Sequence, residues 1–90
     1  MPIRRCIYYS GDVQGVGFRY TARSLGRQRV VGGFVRNLSD GRVELVAEGD
    51  EAEVLAFLGE VDEAMKGYIR RTQVVEEAPT GEFTGFGVAF

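Results

Sequence analysis

Val13-Gln14-Gly15-Val16-Gly17-Phe18-Arg19 stands between two segments of different periodicity. Before it lies the apolar run Cys6-Ile7-Tyr8-Tyr9, and after it Phe18, Ala22 and Leu25 recur at i, i+4 and i+7. The first pattern predicts a strand over residues 3–10 and the second an amphipathic helix of about three turns ending near Gly26. The loop 11–18 is then a strand-to-helix turn. Two glycines placed two apart allow positive φ without Cβ strain and let another group approach the main chain. Successive N–H groups can point into one concavity beside the positive end of the helix dipole, an arrangement that suits phosphate. Arg19, at the helix start, adds a planar, permanently charged fork. On the loop alone, a second reading stands beside this one: a glycine-rich turn with Arg19 as a solvated charge. The loop lacks the Gly-Lys-Ser/Thr ending of a Walker motif, and Tyr20 replaces the third glycine of a dinucleotide fingerprint.

Further along, Val30 to Leu38 reads as a second strand, Ser39-Asp40-Gly41 as a turn, and Arg42 to Glu48 as a third strand. In that third strand Val43, Leu45 and Ala47 alternate with Glu44, Val46 and Glu48. Asp50-x-x-Glu53 resembles a capping box before a second amphipathic helix over 51–65, carried by Val54, Leu58, Val61 and Met65 and closed by Gly67. Ile69 to Glu77 is strand-like, Pro79 and Gly81 stop it, and Phe86, Val88 and Phe90 alternate in a short, glycine-rich final strand whose edge pairing is left open. The order β-α-β-β-α-β plus a terminal strand predicts an α+β, ferredoxin-like sandwich, the split β-α-β plan. An antiparallel sheet carries two helices on one face, with residues 1–90 as one domain.

Composition narrows the chemistry. The chain of 90 residues has a net charge of −2, no histidine and one cysteine. It suits a single two-layer core. No apolar run is long enough to span a bilayer, and the two N-terminal arginines have no apolar stretch behind them, so neither membrane nor signal peptide is expected. A lone Cys6 fits a reducing, cytoplasmic setting. Without histidine, a zinc site of ordinary ligands and histidine-based catalysis are not expected. From Val13 to Val31 the chain carries Arg19, Arg23, Arg27 and Arg29 with no acid, whereas Glu44 to Glu63 carries eight acids and no base. The first of these segments would attract a small anion; Arg23, Arg27 and Arg29 read as helix decoration.

In the split plan the first two strands run parallel through a right-handed crossover, with the third between them. The loop and Asn37 therefore sit at the same end of the sheet, about 10 Å apart backbone to backbone. Asparagine at a strand end is commonly a turn former. Ser39, Asp40 and Gly41 already supply the turn, and Asn37 stands one residue too early for it.

Gly11-Asp12-Val13-Gln14-Gly15-Val16-Gly17-Phe18-Arg19 followed by Gly33-Phe34-Val35-Arg36-Asn37-Leu38-Ser39-Asp40-Gly41 resembles the acylphosphatase family, in its bacterial and archaeal form, over essentially the whole chain. Phe34 stands where that family often has tryptophan and Ser39 where proline is frequent. Arg27-Gln28-Arg29-Val30-Val31 departs from a common Leu-Gly-Leu ending. The resemblance implies hydrolysis of small acyl phosphates to a carboxylate and inorganic phosphate, without metal or cofactor. Arg19 and the amides of Gln14, Gly15, Val16, Gly17 and Phe18 would bind the phosphoryl group, and Asn37 would hold the attacking water. A non-catalytic anion-binding or regulatory domain on the same plan is the alternative. RNA binding is disfavoured by an aromatic-free, acidic third strand. A monomer is the default expectation.

Overall fold

In the computed structural model, which describes residues 1–90, strand β1 (Pro2–Gly11) leads through the glycine loop into helix α1 (Phe18–Arg27). Strands β2 (Val31–Asn37) and β3 (Val43–Asp50) follow, then helix α2 (Glu51–Met65) and strands β4 (Ile69–Glu77) and β5 (Phe86–Val88). The sheet order is β4-β1-β3-β2-β5. β3 is antiparallel to both β1 and β2, so β1 and β2 run parallel and the crossover places α1 between them in sequence. The first four strands make the expected antiparallel arrangement. β5 runs parallel to β2, with Gly33 opposite Phe86 and Val35 opposite Val88, so the five-stranded sheet is mixed.

The core forms where the two helices meet one sheet face. Ile7, Tyr9, Val35, Val43, Leu45 and Ala47 point from the strands into a layer with Phe18, Ala22, Val54, Phe57 and Val61, all buried. Ring pairs hold its two ends: Tyr9 with Phe18 at 4.9 Å and Phe57 with Phe86 edge-on at 4.8 Å. Gly33 is required by the same packing. Its φ is +138°, and a Cβ there would enter the Val46 carbonyl.

Two local expectations change. Asp50 is the N-cap of α2 without a side-chain cap bond; its carboxylate takes the N-terminal ammonium at 3.1 Å instead. Glu53, the other half of the expected capping box, accepts from the Val30 amide and from Arg29, whose Nε also meets Glu60. A cross-element ion pair thus replaces the local box, because Arg29 brings a full charge to carboxylates that a cap would pair only with amides. The basic end of the first helical segment thereby meets the acidic second helix.

The sheet face away from the helices is also covered. Residues 78–85 cross it as a strap. Glu48, 8% exposed, accepts from the amides of Thr80 and Gly81, from the Thr80 hydroxyl and from Arg4. Arg4 also reaches Glu77 and Glu82 and lies over the Phe83 ring, and Phe83 packs on Phe34. Glu44 is buried on the same face between Arg36 and the Cys6 thiol, whose pKa burial pushes up. The alternation of the third strand therefore separates two buried faces, not a buried and a wet one.

Candidate active site

The loop leaves β1 after Gly11 and enters α1 through Gly15 and Gly17, whose φ values are +77° and +79°. Gly17 is the N-cap, in the left-handed region, and its carbonyl accepts the Thr21 amide at 3.0 Å. A Cβ at either glycine would meet nothing within 4 Å, so their role is conformational rather than steric. No amide from Gln14 to Gly17 donates to another protein group. The first-turn amides of α1 that follow have no intrahelical acceptor by construction. The loop therefore leaves a run of unspent donors beside the positive end of the helix. The acid-free first turn of α1 leaves that field uncancelled.

Val13 and Phe18, both buried, clamp the loop onto the core at its two ends. Half-buried Val16 packs against the same core. Arg19 emerges from the first turn of α1 half-buried, with no ion pair or hydrogen bond to the chain; the Phe90 ring lies 5.3 Å from its Cζ. Asn37 ends β2, opposite Val43 of β3. The hairpin turn closes without it, through the Leu38 amide on the Arg42 carbonyl and the Gly41 amide on the Leu38 carbonyl. The Asn37 side chain makes no hydrogen bond within the chain, and it is not among buried groups left unpartnered, so it faces accessible space.

Gly15, Gly17, Phe18, Arg19 and Asn37 line one pocket of about 170 Å³, together with Val13 and Tyr20. Since a water occupies about 30 Å³ of liquid, a small tetrahedral anion and a water fit together. Gln14 and Val16 do not line it. The Gln14 side chain turns the other way: its Nε2 donates to the carbonyls of Leu38 at 2.8 Å and Arg42 at 2.9 Å. It ties the loop to the hairpin that carries Asn37, a link that residue type and spacing gave no means of finding. A larger open groove of about 910 Å³ lies at the opposite end of the sheet, by Arg27, Val30 and Phe83. Size favours that groove, but the smaller pocket is the one that brings the glycine loop, Arg19 and Asn37 together. No three His, Cys, Asp or Glu side chains converge as a metal's ligand set. No helix is long and apolar enough to cross a membrane.

Comparison with known proteins agrees over nearly the whole chain. The family model described as Acylphosphatase matches residues 6–88. The acylphosphatase of Archaeoglobus fulgidus is 40% identical over 84 residues, spanning 93% of this chain and 94% of that one. A second relative, the acylphosphatase of a Roseiflexus species, is 41% identical over 86 residues, 94% of this chain and 92% of its own. Among solved structures, the crystal structure of acylphosphatase from Bacillus subtilis superposes with a TM-score of 0.87 at 30% identity, covering 98% of this chain and 99% of that one. Full-length HypF in its phosphate- and nucleotide-bound form superposes at 0.84 with 29% identity, but only 12% of its chain is matched.

Proposed function

The chain belongs to the acylphosphatase family and is an enzyme of that family, and on that premise we propose how its own residues hydrolyse an acyl phosphate. The amides of the loop from Gln14 to Phe18 and the Arg19 guanidinium bind the three non-bridging oxygens of the phosphoryl group. Asn37 holds a water in line with the acyl oxygen. The water oxygen forms the new bond to phosphorus as the bond from phosphorus to the acyl oxygen breaks, and the carboxylate leaves with the electron pair. The water's proton passes to a phosphoryl oxygen, giving inorganic phosphate. A carboxylate needs no protonation to leave, so a strong general acid is dispensable. Positioning and charge stabilisation then supply the acceleration. An amide orients water but does not take its proton, which is why the substrate's own oxygen is assigned that task.

One observation carries the reading: unspent loop donors, an unpaired arginine and an uncommitted asparagine line a single pocket large enough for a phosphate and a water. All of them come from one chain, which we take to act as a single cytoplasmic unit on a small-molecule acyl phosphate, with neither nucleic acid nor membrane as partner. Acetyl phosphate hydrolysis, measured with EDTA present, tests it. Arg19→Ala is expected to lose on the order of 10³-fold in kcat/KM, the scale on which arginine serves phosphoryl transfer. Asn37→Ala should lose about 10²-fold, mostly in kcat, with phosphate inhibition retained. Full activity in Arg19→Ala would sink the assignment; wild type that binds phosphate without turnover would return the chain to the non-catalytic alternative.

A further inference from the structure

We propose that Tyr20 is a specificity-determining residue for the acyl group. Its ring forms a subsite at the mouth of the pocket that favours flat, apolar acyl groups over small aliphatic ones. The inference rests on the reading above, in which the pocket holds the phosphoryl group and the water. A pocket of about 170 Å³ filled by those two leaves the acyl group outside, against the side chains that form the mouth.

Most of the lining is already committed. Val13 and Phe18 are buried in the core, and Gly15 and Gly17 present backbone only. Arg19 and Asn37 serve the phosphoryl group and the water. Tyr20 is the lining side chain left over. It is 58% exposed and takes no part in the core cluster, although an aromatic ring gains much from burial.

Helix geometry sets where the ring stands. Phe18, Ala22 and Gly26 mark the buried side of α1. At about 100° per residue, Tyr20 lies about 200° round from both Phe18 and Ala22, on the side that faces solvent. Asn37 ends β2 in the sheet layer, so the pocket runs from the sheet at Asn37 to the outer side of the helix at Tyr20. Attacking and leaving oxygens lie roughly in line through phosphorus. A water held at Asn37 therefore directs the leaving carboxylate, with the acyl group behind it, to the Tyr20 end. Arg23, one turn further on, has its Cζ 5.7 Å from the Tyr20 ring centroid. Helical side chains lean toward the N-terminus, so Arg23 backs the ring and the ring leans toward the pocket.

A flat acyl group laid against that ring gains stacking contact, which an acetyl group is too small to make. The contact lies away from the reacting atoms and is equal in bound substrate and transition state, so it acts through KM. Apolar contacts discriminate about 10–200-fold, and a ring more than half exposed belongs at the low end.

Steady-state hydrolysis of benzoyl phosphate and acetyl phosphate by wild type, Tyr20→Ala and Tyr20→Phe tests this. Calorimetric titration of the same proteins with benzoylphosphonate and acetylphosphonate, whose carbon–phosphorus bond resists hydrolysis, runs beside it. Wild type should prefer the benzoyl compound in both series. Tyr20→Ala should lower the benzoyl-to-acetyl ratio of kcat/KM about tenfold, mostly through KM for benzoyl phosphate, with a matching fall in the ratio of phosphonate affinities. Tyr20→Phe keeps the ring and should keep the preference. Thermal melts followed by circular dichroism report that both variants, altered at an exposed position, are folded. A ratio that Tyr20→Ala leaves unchanged, a loss confined to kcat, or a Tyr20→Phe ratio as low as that of Tyr20→Ala would overturn the subsite while hydrolysis itself stands. Turnover of neither substrate by wild type would overturn the hydrolytic mechanism instead, and the phosphonate ratios would still decide the subsite.

Discussion

Replacing Gln14 with leucine keeps the side-chain volume and removes two hydrogen bonds, from Nε2 to the Leu38 and Arg42 carbonyls. Neither acceptor is orphaned. The Leu38 carbonyl keeps the Gly41 amide at 3.2 Å, and the Arg42 carbonyl keeps the Leu38 amide at 2.8 Å. The cost is therefore the net worth of two neutral bonds, about 1–2 kcal/mol, without a desolvation penalty. In a domain of this size each kcal/mol lowers Tm by about 4–8 °C. The catalytic consequence is separate. Without the link, the loop and Asn37 are aligned only by packing, and a misplacement near 1 Å costs on the order of 10²-fold. We expect kcat of Gln14→Leu to fall about 10–100-fold well below its melting temperature. Steady-state hydrolysis by wild type, Gln14→Leu, Asn37→Ala and the double variant, with urea denaturation of each, distinguishes the two effects. If Gln14 acts by placing Asn37, its effect on kcat largely disappears in the Asn37→Ala background, while its effect on stability persists. An equal kcat loss in both backgrounds, or a stability loss with kcat intact, would refute the positioning role.

Two further outcomes follow from the packing. The Thr80 amide, with the Gly81 amide and Arg4, holds the Glu48 carboxyl below the ordinary carboxylate range against the burial that would raise it. A depressed folded pKa contributes stability above the unfolded value near 4.3 and loses it as pH falls through the folded one. Glu48→Gln should therefore cost about 2–3 kcal/mol at pH 7, the worth of charge-assisted bonds, and the gap to wild type should narrow steadily below about pH 4 in denaturant titrations. Equal gaps at pH 7 and pH 3 would contradict the latch. Gly17→Ala should cost about 1–2 kcal/mol, left-handed strain alone, since its Cβ meets nothing. Gly33→Ala should cost more than about 3 kcal/mol, because its Cβ enters the Val46 carbonyl; similar melting temperatures for the two variants would count against this packing account.

What could be read from residues alone was whatever local periodicity encodes. The β2–β3 hairpin, both helices, the loop and the uncommitted Asn37 were legible, because alternation, i+4 spacing and turn chemistry act within a few residues. The environment of Glu48 was not. An acid at an alternating position predicts a wet face, and its partners Thr80 and Gly81 lie 32 and 33 residues away in the chain. The capping box at Asp50 and Glu53 was legible as a pattern but lost to Arg29, a competitor brought in from the end of α1. β5 was visible as alternation. Its parallel pairing with β2 depends on how the strap crosses the sheet, which no local signal records. Gln14 was singled out for its amide, and only the folded hairpin reveals the use of its side chain.

The sheet order has a kinetic meaning. β1 lies between β3 and β4, so Arg4 pairs with Glu48 on one side and Glu77 on the other, 44 and 73 residues away in the chain. Such non-local closures are entropically costly and slow folding relative to a hairpin. The two halves of the pocket ride on β1 and β2, which touch only through β3. The β2–β3 hairpin can form early without creating any site. Only when β1 docks along β3 do the glycine loop and Asn37 come within reach of the same molecule, so recovery of hydrolysis during refolding reports that docking step, while backbone circular dichroism also reports the helices and the hairpin.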